Sequence, residues 1–134
     1  MSLTNQQVFN HSQSFFLGRI QNNGGYTSHG WANPRNLDER CALGSMVSDY
    51  CENVFDVANN FAKLYGCKDY KDIYKEGSLT KEIMAFNDHH TWQSLSKIEL
   101  DIKLSEWSKK FHLSYSSVLE TPKETAVREI VESV

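Results

Sequence analysis

KIELDIKL, residues 97–104, decides the fold class. Ile98, Leu100, Ile102 and Leu104 alternate with charged or acidic neighbours at a period of two, which is the signal of a half-buried strand. The wider segment WQSLSKIELDIKLSEWSKKF, residues 92–111, argues the other way. It is unbroken by Gly or Pro, and Thr91 stands before it as a good N-cap. Trp92, Leu95, Ile98 and Ile102 form one helical stripe in it, and Leu100, Leu104, Trp107 and Phe111 a second. A helix apolar on two sides sits between partners, not on the surface. The helix reading makes the chain all-α, with five to six helices. If 97–115 instead folds as a hairpin, with FHLSYSS (111–117) as its second strand, the class becomes α+β.

Outward from that segment the signals are helical. Thr4 and Gln7 have the capping-box spacing, and Val8, Phe9, Phe15, Phe16 and Ile20 recur at helical intervals behind them. This predicts a first helix from about 5 to 22, stopped by Asn22-Asn23-Gly24-Gly25. A long structured loop follows, about 23–38, holding Gly30 and Pro34 together with Tyr26, His29 and Trp31. Asp38 is placed to cap a second helix opening on RCALGSMVSDYC, residues 40–51, with Glu39 in its first turn. Val54, Phe55, Ala58, Phe61, Ala62 and Tyr65 continue its apolar face to a stop at Gly66, with a break near Asp49–Asn53. A short helical turn at 69–75 ends at Gly77. Ser78 or Thr80 starts a helix carrying Leu79, Ile83, Met84 and Phe86. Thr121-Pro122-Lys123-Glu124 begins a last, peripheral helix over 121–134 bearing Val127, Ile130 and Val131.

The length, 134 residues, suits one domain with a core of its own. Charge is balanced along the chain, with a net of −3, and no basic stretch marks a nucleic-acid partner. The lysines of KLYGCKDYKDIYKEG are interleaved with tyrosines, but Asp69, Asp72 and Glu76 offset them, giving a solvated paired face. Cys41, Cys51 and Cys67 cannot all pair and form no CxxC, which predicts reduced thiols and a cytoplasmic setting. No leader is read, no apolar run is long enough to cross a bilayer, and no membrane partner is expected.

Two places hold groups with chemical capacity. Cys41, at the start of the expected second helix, would feel the positive end of the helix dipole, which lowers a thiol pKa. With His89 or His90 as base and Asp88 as orienter, it would make a cysteine-dependent hydrolase or transferase. The competing reading takes Cys41, Ala42, Gly44 and Ser45 as small residues that let two segments cross closely, and it carries more weight. FNDHHTW, residues 86–92, could also hold a transition metal through His89 and His90 with Cys41, His29 or His11. Adjacent histidines point about 100° apart on a helix, however, and no HxxxH, HExxH or paired CxxC occurs. No metal and no cofactor are therefore expected. Arg35 and Arg40 bracket the expected helix start and could hold an anion there, although pairing with Asp38 or Glu39 is the simpler role. Phosphate-loop, dinucleotide and nucleophile-elbow motifs are absent.

Trp31, then Arg40-Cys41-Ala42-Leu43-Gly44, then an apolar helix ending in Asn87-Asp88 resembles a loose group of small bacterial and phage proteins without an assigned activity. They share a Cys-Ala-x-Gly segment and, several tens of residues later, an Asn-Asp or His-Asp step. The resemblance covers residues 8–110, and this chain departs from the pattern in its second histidine and its last helix. It implies a shape, an origin and a place to look, and no reaction. It also suggests one arrangement: Asn87 or Asp88 accepts hydrogen bonds from the backbone of the 23–40 loop and so holds Trp31 in place. The expected function is a non-enzymatic intracellular accessory protein that binds another protein, or itself as a homodimer. Its contact surface would be the last helix or the loop around Trp31, with Trp31, Arg35, Arg40 and Asn87 as binding residues.

Overall fold

The computed structural model describes residues 2–22, 25–28, 30–47, 53–89 and 92–119. Among these the chain is mainly helical: α1 (Asn5–Asn22), α2 (Val54–Tyr65), α3 (Leu79–Asn87) and α4 (Lys97–Lys110), with three short 3-10 turns and one antiparallel hairpin. The fifth and sixth helices of the sequence reading are in part these 3-10 turns, and the expected last helix lies outside the described residues. No described helix is long and apolar enough to cross a membrane.

KIELDIKL is helix. Ser96 and Glu99 close a reciprocal capping box, so α4 begins at Lys97, while Trp92–Ser94 forms a separate 3-10 turn. Lys109 and Lys110 face the negative end of the dipole in the last turn. The stripe of Leu100, Leu104, Trp107 and Phe111 is the better covered of the two, with only Phe111 half-buried. Leu100, Leu104 and Trp107 are buried, whereas Ile98 and Ile102 are half-buried. Residues 111–119, after α4, do not return as a strand. Instead Gln6 exchanges hydrogen bonds with the backbone of Ser114, and the buried Asp101 carboxylate accepts from the hydroxyls of Tyr115 and Ser117.

Thr4 and Gln7 cap α1 as their spacing requires, each side chain accepting from the other's backbone N–H. α2 starts at Asn53, which makes a capping box with Asp56, and stops at Gly66, whose φ of 87° is the left-handed conformation glycine adopts without strain. Asp69 and Ser78 cap the 3-10 turn Tyr70–Tyr74 and α3. The core joins α1, α3 and α4 through interlocked rings. Phe16 lies 4.9 Å from both Phe86 and Trp92, and Phe86 lies 5.4 Å from Trp107. A second aromatic group, Trp31 with Phe61 and Tyr74, fixes α2 against the hairpin.

Candidate functional site

Asn33-Pro34-Arg35-Asn36 has turn chemistry, with Asn first and Pro second. The Asn33 side chain accepts from Arg35 N at 3.0 Å and donates to Glu39 at 2.8 Å. Around that turn β1 (Ala32–Asn33) pairs with β2 (Asn36–Arg40). The expected irregular loop therefore contains a hairpin, and the helix start expected at Asp38 is corrected: Asp38, Glu39 and Arg40 are strand residues. Asp38 and Glu39 are good cap residues only if nothing better is offered. Here the ladder bond from Cys41 N to Trp31 O, at 3.1 Å, takes the backbone instead.

This changes Cys41. It follows a strand and precedes the 3-10 turn Gly44–Met46, so the helix dipole invoked to activate it is not at hand. The residue is 6% exposed, and Gly44 N donates to its Sγ at 3.3 Å. Burial pushes the thiol pKa up to about 11, against the lowering effect of the surrounding backbone N–H groups, and the nearby Asp88 charge raises it further. At neutral pH Cys41 is a thiol, not a thiolate. The small-residue reading has a direct geometric cause at Gly44, where a Cβ would lie 2.3 Å from the carbonyl oxygen of Trp31.

Asn87 ties the two sequence motifs together. Buried to 1% exposure, it accepts from Ala42 N at 3.0 Å and donates to the carbonyl of Thr27 at 2.8 Å. Its own carbonyl takes the indole N–H of Trp92 at 3.0 Å. Asn87 thus does reach the loop backbone, but in the opposite sense to the one expected: it donates to the loop at Thr27, and the backbone it accepts from is Ala42, beyond the 23–40 loop. Asp88, half-buried, shares with Cys41, Asn87, Trp31, Tyr74, Met84 and Gly30 a cavity of about 260 Å³. His89 is exposed and is not among the residues lining it, and His90 lies outside the described residues. Among the described residues no three His, Cys, Asp or Glu side chains converge to hold a metal ion. His29, the remaining loop candidate, lies outside the described residues.

The arginines do not serve a helix N-terminus. Arg35 is exposed in the hairpin turn, and Arg40 donates to the carbonyl of Gly44 at 3.3 Å, bracing the turn after Cys41. Trp31 is a wall, not a protruding anchor: its indole N–H donates to Tyr74 Oη at 2.7 Å and its ring rests 5.3 Å from Phe61.

A second concavity lies on the outer side of that wall. A cleft of about 580 Å³ is lined by Thr27, Ser28, Gly30, Trp31, Ala32, Asn33 and Pro34 on one flank, and by Val54, Phe55, Ala58 and Tyr74 on the other. Phe55, expected on the buried face of α2, is 61% exposed at this cleft. The sequence reading missed the cleft because the hairpin and α2 are brought together by contacts distant in sequence. Also missed was a tie between α1 and the turn: His11 Nε2 lies 2.6 Å from Ser45 Oγ, which donates to Ala42 O at 2.7 Å. A scan against protein-family models finds no match, and searches of the curated proteins and of the solved structures likewise return none.

Proposed function

We propose that the protein is a non-enzymatic intracellular accessory module that binds another protein through the cleft between the Trp31 hairpin and α2. The observation that carries this is Phe55, a large aromatic side chain left 61% exposed at an apolar-walled cleft of about 580 Å³. Exposed aromatics beside a preformed groove are the usual anchors of protein contacts. The occupant that fits is an extended segment presenting an apolar side chain between Pro34, Val54, Phe55 and Ala58. Its backbone would meet the polar groups of Thr27, Ser28 and Asn33. A cytoplasmic setting agrees with Cys41 and Cys67 being free thiols. The likeness of Cys41-Ala42-x-Gly44 and Asn87-Asp88 to small bacterial and phage proteins supports an origin of that kind. A neutral buried thiol gives no comparable support to the cysteine-enzyme alternative.

The test is selection of peptides from a displayed random library by the native protein, followed by titration of the winners against wild type and Phe55→Asp. A shared apolar anchor motif whose binding is lost in Phe55→Asp is expected. Peptides that bind both proteins equally, or no enrichment, would overturn the assignment of this cleft.

A further inference from the structure

α1 carries a second site that owes nothing to the hairpin. His11, Ser14, Phe15 and Arg19 recur at helical spacing along one side of it, and with Ser45 they line a depression of about 290 Å³. The depression is cationic among the described residues. No lining residue is acidic, and among the described residues no carboxylate lies within ion-pair distance of Arg19. The guanidinium instead lies over the Phe15 ring, 4.0 Å from its centroid, which orients it without neutralising it. Its Nε is sealed and has no acceptor, so any acceptor it gains must come to the terminal nitrogens from outside. Partial burial lowers the pKa of Arg19. Burial first, and then the Arg19 charge, lowers that of His11, so the imidazole registers the guanidinium beside it. Ser14 adds an exposed hydroxyl with no partner among the described residues.

We infer that this depression binds a small oxyanion, a phosphate or carboxylate group, with Arg19 as its counter-charge and Ser14 as a hydrogen-bond donor. A planar guanidinium held against a ring is prepared for two parallel N–H···O bonds to such a group. His11 sits beside the bound group while Ser45 fixes its ring, so the imidazole reports occupancy.

The experiment is calorimetric titration of the intact protein with inorganic phosphate and, separately, with acetate. Sodium chloride at matched ionic strength is the reference, and the His11 ring signals are followed by NMR at fixed pH. Saturable binding of either oxyanion that shifts the His11 signals is expected. It should weaken at least about tenfold in Arg19→Gln and less in Arg19→Lys and Ser14→Ala. Phosphate binding with acetate silent assigns the site to phosphate groups, and binding of both assigns it to oxyanions at large. A response no greater than that of sodium chloride, or an affinity unchanged in Arg19→Gln, overturns the inference. Should Arg19→Gln fail to fold by circular dichroism, Ser14→Ala and Arg19→Lys decide: a measurable weakening in both supports the inference, and an affinity unchanged in both overturns it.

Discussion

The side-chain amide of Asn87 joins Ala42 to Thr27, accepting from one backbone at 3.0 Å and donating to the other at 2.8 Å across 45 and 60 residues of sequence. It fastens the last turn of α3 to both ends of the segment that carries Trp31. Asn87→Leu keeps the branched shape, at a somewhat larger volume, and leaves the Ala42 N–H and the Thr27 carbonyl without partners. Each such group costs about 1–3 kcal/mol, so a loss of about 2–6 kcal/mol is expected by urea denaturation. The Trp31 wall should loosen in the same variant, seen as a tryptophan emission change under native conditions. An unchanged unfolding midpoint would show that the bridge is dispensable.

Gly44→Ala tests why the Cys-Ala-x-Gly segment is built of small residues. The new methyl would meet the Trp31 carbonyl oxygen at 2.3 Å and the Val57 side chain at 3.3 Å. A backbone atom cannot swing aside as a side chain tip can. The cost should therefore fall at the upper end of the range for overpacking, about 3 kcal/mol, measured as a shift in the denaturation midpoint. Gly30→Ala, where a Cβ meets nothing within 4 Å, is the matched control and should be close to neutral.

These two positions also show what the sequence discloses and what it withholds. The ends of α1, the Gly66 stop of α2 and the Ser78 cap of α3 were legible because each is settled by residues a few positions apart. Asp38 failed as a cap because the decision there is not local: the Trp31 carbonyl, ten residues before Cys41, claims the strand. The same distance rule explains the site. Asn87 could be foreseen as a brace for the loop, since a buried amide needs backbone partners. Which backbones it meets could not be foreseen. Nothing at His11 or Arg19 announced Ser45, which arrives from 34 residues along the chain at His11.

Cys41 yields a prediction with a definite sign. Its thiol pKa is raised from 9.0 to about 11, chiefly by burial, so above pH 9 the unfolded chain releases a proton that the folded chain keeps. Stability from this residue is complete below pH 9 and falls as pH climbs toward 11, by up to about 2–3 kcal/mol. Cys41→Ala should flatten that part of the stability profile relative to wild type. Thiol labelling mapped by mass spectrometry should find Cys41 silent at neutral pH until the protein opens, and Cys67, half-buried, reacting earlier. Fast native labelling of Cys41 would revive the nucleophile reading.

Phe55→Asp should separate binding from folding. Phe55 is the second residue of α2, where an acidic side chain suits the helix dipole, and its ring is largely in solvent. The thermal midpoint should stay within the equivalent of about 0.5 kcal/mol. Peptide binding at the cleft should drop by tenfold or more, as truncation of an interface anchor usually does. A large loss of stability would instead mean that the ring supports the fold.

His11 gives the opposite pH dependence to Cys41. Its pKa is depressed below 6.5 by burial first and by the Arg19 charge second. The unfolded chain therefore binds a proton more readily than the folded one between that lowered value and 6.5. Its contribution is complete above pH 6.5 and is lost as pH falls through the window. Arg19→Gln removes only the smaller cause, so the His11 titration followed by NMR should move part of the way back toward 6.5. His11→Gln should remove this acid-side loss and leave an amide able to donate to Ser45 Oγ in place of Nε2. A His11 titration unmoved by Arg19→Gln would mean that the two side chains do not share one electrostatic site, whatever their proximity along α1.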